Sequence, residues 1–284
     1  MQTKEGVNKM ELTQMADLFP FTRVIYNSPK AQEIWEPKIK RASSIHNEAE
    51  FEMVRMGYRR AATLHISPYD YEKSIEKIIR NGLAWLPIQR TKNYNGFSHK
   101  HFPTDPEDPD SSVYGVLAKT IEDAEMFRNA SRGQATDHNI IGELLGFPQC
   151  CRDFFDTVWM AGYIDPIWQA AEKTEGAEKL SDTHIILKKI YPEAMQAFRY
   201  IGPRITSHLS CSFTCEESKK EGQKWIECME KFDAEGLQAM MNILTLPFKW
   251  SVKWGVAIIS TPHFRIITNS MAAKKEYIIE YIPQ

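Results

Sequence analysis

A chain of 284 residues, 43% apolar and 25% charged, is long enough to bury a core as one large or two small domains. Its formal net charge of −2 argues against a surface that coats nucleic acid or a membrane as a whole, although a local basic patch would not show in that sum. No apolar run is long enough to span a bilayer, and the first residues lack the basic, apolar, small-residue order of a signal peptide, so a cytoplasmic address is expected. Five cysteines, an odd number, do not make a secreted disulfide framework. In a reducing compartment, clustered cysteines read first as metal ligands or reactive thiols.

Residues 1–30 read as an N-terminal extension with a polar, frayed start. Residues 31–135 read as a strand-helix layer. A charged helical stretch from Ala31 to Arg60 leads into the strand "ATLHI", then a helix with Ile75, Ile78 and Ile79 on one face that stops at Gly82. "LAWLPI", Leu83 to Ile88, and Val113 to Ala118 are further strands. Thr120 followed by Asp123 caps a helix through Asn129. Thr91 to Ser112, rich in Gly, Pro, Asn and Asp, is expected to be loop. Its His99 and His101, followed by "DPEDPD", offer imidazole and oxygen ligands for a divalent cation, without an ordered metal-site spacing.

Residues 136–284 hold a helical region followed by a sheet. Helices are expected over Thr136 to Leu145, Pro148 to Met160, Ile167 to Glu175, Asp182 to Tyr200 with an interruption at Pro192, and Thr214 to Asp233. "PFKWSVKWGVAIIS" then has strand period, with Phe248, Trp250, Val252, Trp254 and Val256 on a buried face. A turn at Thr261, Pro262 and His263 leads to the strand "FRIIT", and "YIIEYI" follows as a third, giving an antiparallel meander. The expected class is α+β: N-terminal strand-helix layer, helical middle and C-terminal antiparallel sheet, closely packed as one body.

The chemistry concentrates in two blocks. In "GELLGFPQCCRDFF", Gly146 suits the left-handed end of one helix and Pro148 the first position of the next. Cys150 and Cys151 then lie in a first helical turn, where free N–H groups and the dipole favour a thiolate. Helical spacing groups Cys151 with Phe154, Phe155 and Val158, so the two cysteines need not share a role. In "SHLSCSFTCEESKKEG", Thr214 and Glu217 form a capping box that places Cys215 at the start of a helix and Cys211 in the preceding loop. Two such helix starts brought together would assemble Cys150, Cys151, Cys211 and Cys215, with His208 as an alternative ligand. That soft set suits Zn²⁺ or an iron-sulfur cluster. Inert core thiols and metal-free thiol chemistry are the competing readings. Cys228, on the apolar side of a helix near Trp225, reads as core.

These blocks, G-F-P-x-C-C preceded by "IGELL" and H-x-x-C-x-x-x-C-E followed by a Gly-containing strand and "TPHF", resemble an uncharacterised family known only as a domain of unknown function. The resemblance covers residues 110–270. Many of its members have proline before the first cysteine of the second block, where this chain has Ser210; the difference relaxes the turn and removes no candidate ligand. The family implies a site without implying a reaction.

If an ion at this site keeps an open position, Glu143, His138 and His263 are the candidate proton carriers; the bland readings are a solvated helix residue, a helix-start histidine and a turn histidine. Arg152 and Arg204 could neutralise an anionic substrate. "KWSVKWG" interleaves lysines with tryptophans, as single-strand platforms do, but the two types fall on opposite faces, so nucleic acid is not favoured. No P-loop, dinucleotide G-x-G-x-x-G or G-x-S-x-G elbow occurs. The functional expectation is a metal-binding protein, an enzyme with a cysteine-ligated zinc or iron-sulfur centre whose substrate is unknown. The alternatives are a zinc-pinned binding module and a thiol enzyme using Cys150 or Cys151.

Overall fold

Ser28 accepts the Ala31 N–H at 3.1 Å and Pro29 fills the first turn, which starts a 27-residue helix, α1 (Pro29–Arg55). In the computed structural model, which describes residues 22–93, 101–103, 111–132, 136–162, 165–269 and 275–283, this helix is one of two central struts. Trp35, Ile39, Ala42, Ile45, Ala49 and Met53, at helical spacing, face inward. The order continues with β1 (Thr22–Tyr26) before α1, then β2 (Ala61–Ile66), α2 (Tyr71–Arg80), β3 (Ala84–Asn93), β4 (His101–Pro103), β5 (Ser112–Ala118) and α3 (Ile121–Arg132). There follow α4 (His138–Leu144), α5 (Gln149–Phe154), a π-helical turn (Phe155–Met160), α6 (Pro166–Glu172), β6 (Glu178–Ser181) and β7 (His184–Leu187). The second strut, α7 (Glu216–Leu244), leads to β8 (Phe248–Lys253), β9 (Val256–Ser260), β10 (Phe264–Asn269) and β11 (Tyr277–Tyr281). This is the α+β class expected. No helix among the described residues is long and apolar enough to cross a membrane.

The first sheet, β2-β5-β3-β4, is antiparallel throughout and covered on both faces. Phe51, Ala62, Ile66, Ile78, Leu83 and Leu117 form one layer, with α2. Ala61, Val116, Ala118, Ala124, Phe127 and Leu144 form the other, with α3 and α4. Thr120 accepts the Asp123 N–H at 3.1 Å, the cap that the sequence predicts. The Thr91 to Ser112 stretch is not all loop: β3 runs on to Asn93, with Thr91 opposite Ser112 on one side and Pro103 on the other. Pairing on both sides outweighs the turn-rich composition there. His99 and the side chain of His101 lie outside the described residues, as does the acidic run after them.

The second sheet has the order β1-β10-β9-β8-β11-β7-β6, with β11 and β7 its one parallel pair. So β1, from the N-terminal segment, joins the C-terminal strands, and β11 inserts beside β8 instead of extending a meander. The predicted helix from Asp182 to Tyr200 is absent. In its place are the β6–β7 hairpin and two short 3₁₀ turns, Pro192–Ala194 and Arg199–Ile201. Ile185 and Leu187 are buried while His184 and Ile186 are less so, which is period two. The β-branched pair Ile185 and Ile186 suits a strand, and β11 supplies the partner. The long predicted strand is also two. Trp254 (φ 52°) and Gly255 (φ 77°) make a two-residue hairpin turn, leaving Trp254 70% exposed while Trp250 is fully buried. Trp254 is therefore not core.

The struts and the second sheet share one core, in which Trp225, Met229, Met240 and Ile243 of α7 meet α1 and the buried side of β8–β10. The helix predicted to end near Asp233 continues to Leu244, because the break there is local. Asp233 leaves helical geometry (φ −153°, ψ 75°), accepts the Gly236 N–H at 2.9 Å and restarts the helix. Arg41 of α1 holds that kink by pairing with Asp233 at 2.5 Å and Glu235 at 2.8 Å.

One close approach seats the loop that carries the candidate site against α1. Gly202 has φ +112°, and a Cβ there would lie 1.8 Å from Ser43 Oγ, whose hydroxyl reaches the Ile201 carbonyl at 3.1 Å. Backbone strain and overpacking each cost about 1–3 kcal/mol. Gly202→Ala is therefore expected to lower the urea unfolding free energy by about 2–4 kcal/mol; an unchanged midpoint would contradict this close approach.

Candidate metal centre

Two stretches of chain deliver four sulfurs. α4 ends at Gly146 (φ +70°), whose N–H bonds the Glu143 carbonyl at 2.9 Å while that of Phe147 bonds Gly142 at 2.8 Å. Pro148, extended at ψ 142°, occupies the cap position, one residue earlier than predicted, so Cys150 and Cys151 fall in the first turn of α5. The second stretch opens with the Ser210–Thr214 loop. Its Ser210 carbonyl accepts from Gln196 Nε2 at 2.8 Å, and its Phe213 N–H donates to Thr174 Oγ1 at 2.9 Å. Cys211 sits in that loop, and Cys215 closes it by capping α7. The cap is the thiol itself: Cys215 Sγ accepts the Ser218 N–H at 3.4 Å. Thr214, the predicted cap, instead accepts the Glu175 N–H at 3.2 Å.

The four sulfurs of Cys150, Cys151, Cys211 and Cys215 all lie within 4.8 Å of one another, close enough for one metal ion. Cys150, Cys151 and Cys215 form a triangle with each side 3.8 Å. Cys151 and Cys215 are buried, Cys211 is half-buried and Cys150 is exposed. Hydrogen bonds from Cys151 and Cys211, with Ser218 behind them, hold Cys215 far below the ordinary thiol range. The same ties to Cys211 and Cys215, followed by burial, push Cys151 far up. Burial and then the Cys215 charge raise Cys150. The protein alone thus favours one thiolate among protonated companions. A cation is the partner that lets the others ionise.

His208 stands outside this four-sulfur group. Its Nε2 lies 2.8 Å from Ser218 Oγ, which in turn lies 3.3 Å from Cys151 Sγ, so it is an outer partner of the sulfurs. Burial, above all, lowers the His208 pKa to about 3 and keeps the ring neutral. A stack of side chains leads away from it. Its ring centroid is 5.4 Å from that of Phe147, and the Arg59 guanidinium lies 5.7 Å from the Phe147 ring and 5.2 Å from Trp225. Trp225 in turn stacks on His46 at 4.8 Å. Arg59 Nε donates to the Leu145 carbonyl at 2.5 Å, anchoring the turn before the cysteine pair.

The proposed proton carriers point elsewhere. Glu143 is exposed and pairs with Arg60 at 3.3 Å and Arg152 at 3.9 Å. His138 packs on Phe155 and lines a cleft with Thr63, Tyr114 and Arg132. His263 stacks on Trp35 at 4.6 Å. Among the described residues, no hydrogen bond joins any of the three to a cysteine. Arg152 is held by the Asn139 carbonyl and Gln149. Cys228 is core, with its sulfur 3.6 Å from Met53 Sδ and 3.5 Å from Met56 Sδ. Lys249 and Lys253 face carboxylates of the neighbouring segment, Glu280 at 3.5 Å and Glu276 at 3.8 Å.

Sequence reasoning missed Ser218, His46 and Arg59. Ser218 had a signal, since the third residue after a helix cap is the one whose N–H the cap receives. His46 lies on the apolar stripe of Ile39, Ala42, Ile45 and Ala49. No protein-family model, curated protein or solved structure matches the chain.

His46 generates a pH prediction. Burial first, then the charges of Arg204 and Arg59, hold its pKa well below the ordinary 6.5. The unfolded imidazole takes a proton near that ordinary value and the folded one does not. Its contribution is therefore complete above about pH 6.5 and is lost as the solution is acidified, at up to about 1.4 kcal/mol per pH unit. His46→Gln is expected to flatten the fall in urea unfolding free energy between pH 6.5 and 5; parallel slopes in the two proteins would contradict the assignment.

Proposed function

We propose that this chain is a zinc protein in which Cys150, Cys151, Cys211 and Cys215 close a tetrahedral shell around one Zn²⁺. The carrying observation is the 3.8 Å triangle of Cys150, Cys151 and Cys215. An ion about 2.3 Å from each of four tetrahedral sulfurs spaces them about 3.8 Å apart. Iron-sulfur clusters hang their thiolates on separate irons, so the ligands diverge across the cluster. Mutual distances within 4.8 Å support a single ion. A shell closed by four sulfurs is the structural kind, and the placement of Glu143, His138 and His263 away from the sulfurs fits that role. The ion ties the starts of α5 and α7 to the Cys211 loop and so braces the polar region behind them. The exposed sulfur of Cys150 favours a second reading, thiol chemistry in a metal-free protein, with Cys151 or Cys215 as resolving partner.

Metal analysis and the visible spectrum of protein purified without oxygen separate these. One zinc per chain and no colour are expected. Cys211→Ala is expected to lose the zinc and much of the roughly 10 kcal/mol that a structural zinc contributes. Iron with sulfide, metal-free folded protein, or a Cys211→Ala variant that keeps metal and stability would each contradict the proposal.

A further inference from the structure

The four sulfurs of the centre differ in exposure and in the groups that bond them. Cys151 Sγ lies 3.3 Å from Ser218 Oγ, and Cys215 Sγ accepts the Ser218 N–H at 3.4 Å. Both residues are buried. Cys211 is half-buried and packs against the main core. Cys150 alone is exposed, and among the described residues its Sγ has no hydrogen-bond partner but other sulfurs, with Cys151 and Cys215 at 3.8 Å each. The polar side chains beside it are engaged elsewhere: Gln149 donates to Asp153 at 2.7 Å, and Arg152 to the Asn139 carbonyl at 3.3 Å.

Those differences bear on reactivity. The thiolate is the nucleophilic form of cysteine, and coordination to a metal keeps a sulfur in that form at neutral pH. A hydrogen bond to the sulfur stabilises the thiolate and so blunts its attack. An ionised sulfur can only accept, so Ser218 donates its hydroxyl to Cys151 and its backbone N–H to Cys215, while the core shields one side of Cys211. Cys150 is under neither restraint. Its three companions are engaged by the same ion, so no resolving thiol stands free for disulfide chemistry. A single displacement at carbon needs no second thiol and remains open to it.

We propose that Cys150 is a modification site: in the metal-loaded protein its thiolate takes an alkyl group from an uncharged or cationic carbon electrophile. The sulfur attacks the carbon, the S–C bond forms as the carbon's bond to its leaving group breaks, and the leaving group departs with that electron pair. No proton, oxidant or reductant enters. Four thiolates around a dication leave two negative charges, which repel an anionic electrophile. The thioether product has lost the charge that made the sulfur a strong ligand, so the centre opens and the ion is released. The site rests on the zinc reading of the centre and adds a reaction at its exposed corner.

The zinc-loaded full chain is treated with an equimolar amount of iodoacetamide in the absence of oxygen; peptide mass mapping locates the label and a chromogenic chelator counts the zinc released. The label is expected first on Cys150, with about one zinc released per label. Its rate is expected to change less than about twofold between about pH 6 and 8, because a ligated thiolate has no proton to lose, whereas a free thiol ionising near 8.5 speeds up about tenfold per unit there. Iodoacetate, an anion, is expected to lag iodoacetamide by about tenfold more than it does with a small neutral thiol. A first label on Cys151, Cys211, Cys215 or Cys228 overturns the site, as does no label under conditions that consume the small thiol. Label without zinc release, a tenfold rise in rate per pH unit, or no added discrimination against iodoacetate overturns it too. Metal analysis of the untreated protein keeps two failures apart: a chain without zinc sinks the zinc reading, whereas a zinc-loaded chain that does not label at Cys150 sinks this site alone.

Discussion

Four sulfurs from two separate stretches of chain meeting within 4.8 Å is the constraint on which the middle of this molecule depends. The short turn and loop that present Cys150, Cys151 and Cys211 do not hold their place alone, whereas α7 is packed in the core. The Gly146–Pro148 turn is fixed at one end by α4 and the Ser210–Thr214 loop by two anchoring hydrogen bonds, while α7 begins on a thiol instead of a hydroxyl or carboxylate cap. A thiol is a weak cap in a metal-free helix. It becomes a strong one when the sulfur is ionised and held, which is how a centre of this kind turns metal affinity into folding free energy.

The centre is joined to the core through matter, not merely proximity. Ser218 links Cys151 to His208, and a run of rings and one guanidinium continues from His208 through Phe147, Arg59 and Trp225 to His46. Trp225 is among the largest fully buried side chains, and it belongs to the same core as the second sheet. The sulfur cluster and the core therefore share walls: Phe147 abuts both His208 and Arg59, and α7 is capped by Cys215 and carries Trp225 nearly three turns later. The buried Arg59 guanidinium is offset in part by Glu50, whose carboxylate oxygen lies 3.8 Å away.

What was legible in the sequence was what is locally determined. Helix starts at Thr120 and Pro148 follow from capping chemistry, and the cysteine blocks stood out because both fall at such starts. What failed was decided by distant partners. "HIIL" at 184–187 is strand because β11 lies beside it, a neighbour about ninety residues away in sequence. Trp254 left the core because Gly255 allows a two-residue turn with positive φ at both positions, a conformation that strand periodicity conceals. Arg59 carries no sign of burial in its own neighbourhood. A charged side chain is placed in the interior by the packing around it, so only the assembled fold reveals it.

X-ray absorption at the metal edge of the purified protein tests the central claim most directly, because it reads the ion's neighbours without relying on the fold. The account predicts zinc with four sulfurs at about 2.3 Å and no lighter atom in the first shell. A nitrogen or oxygen ligand in place of one sulfur, or an iron with a second iron close by, would contradict it.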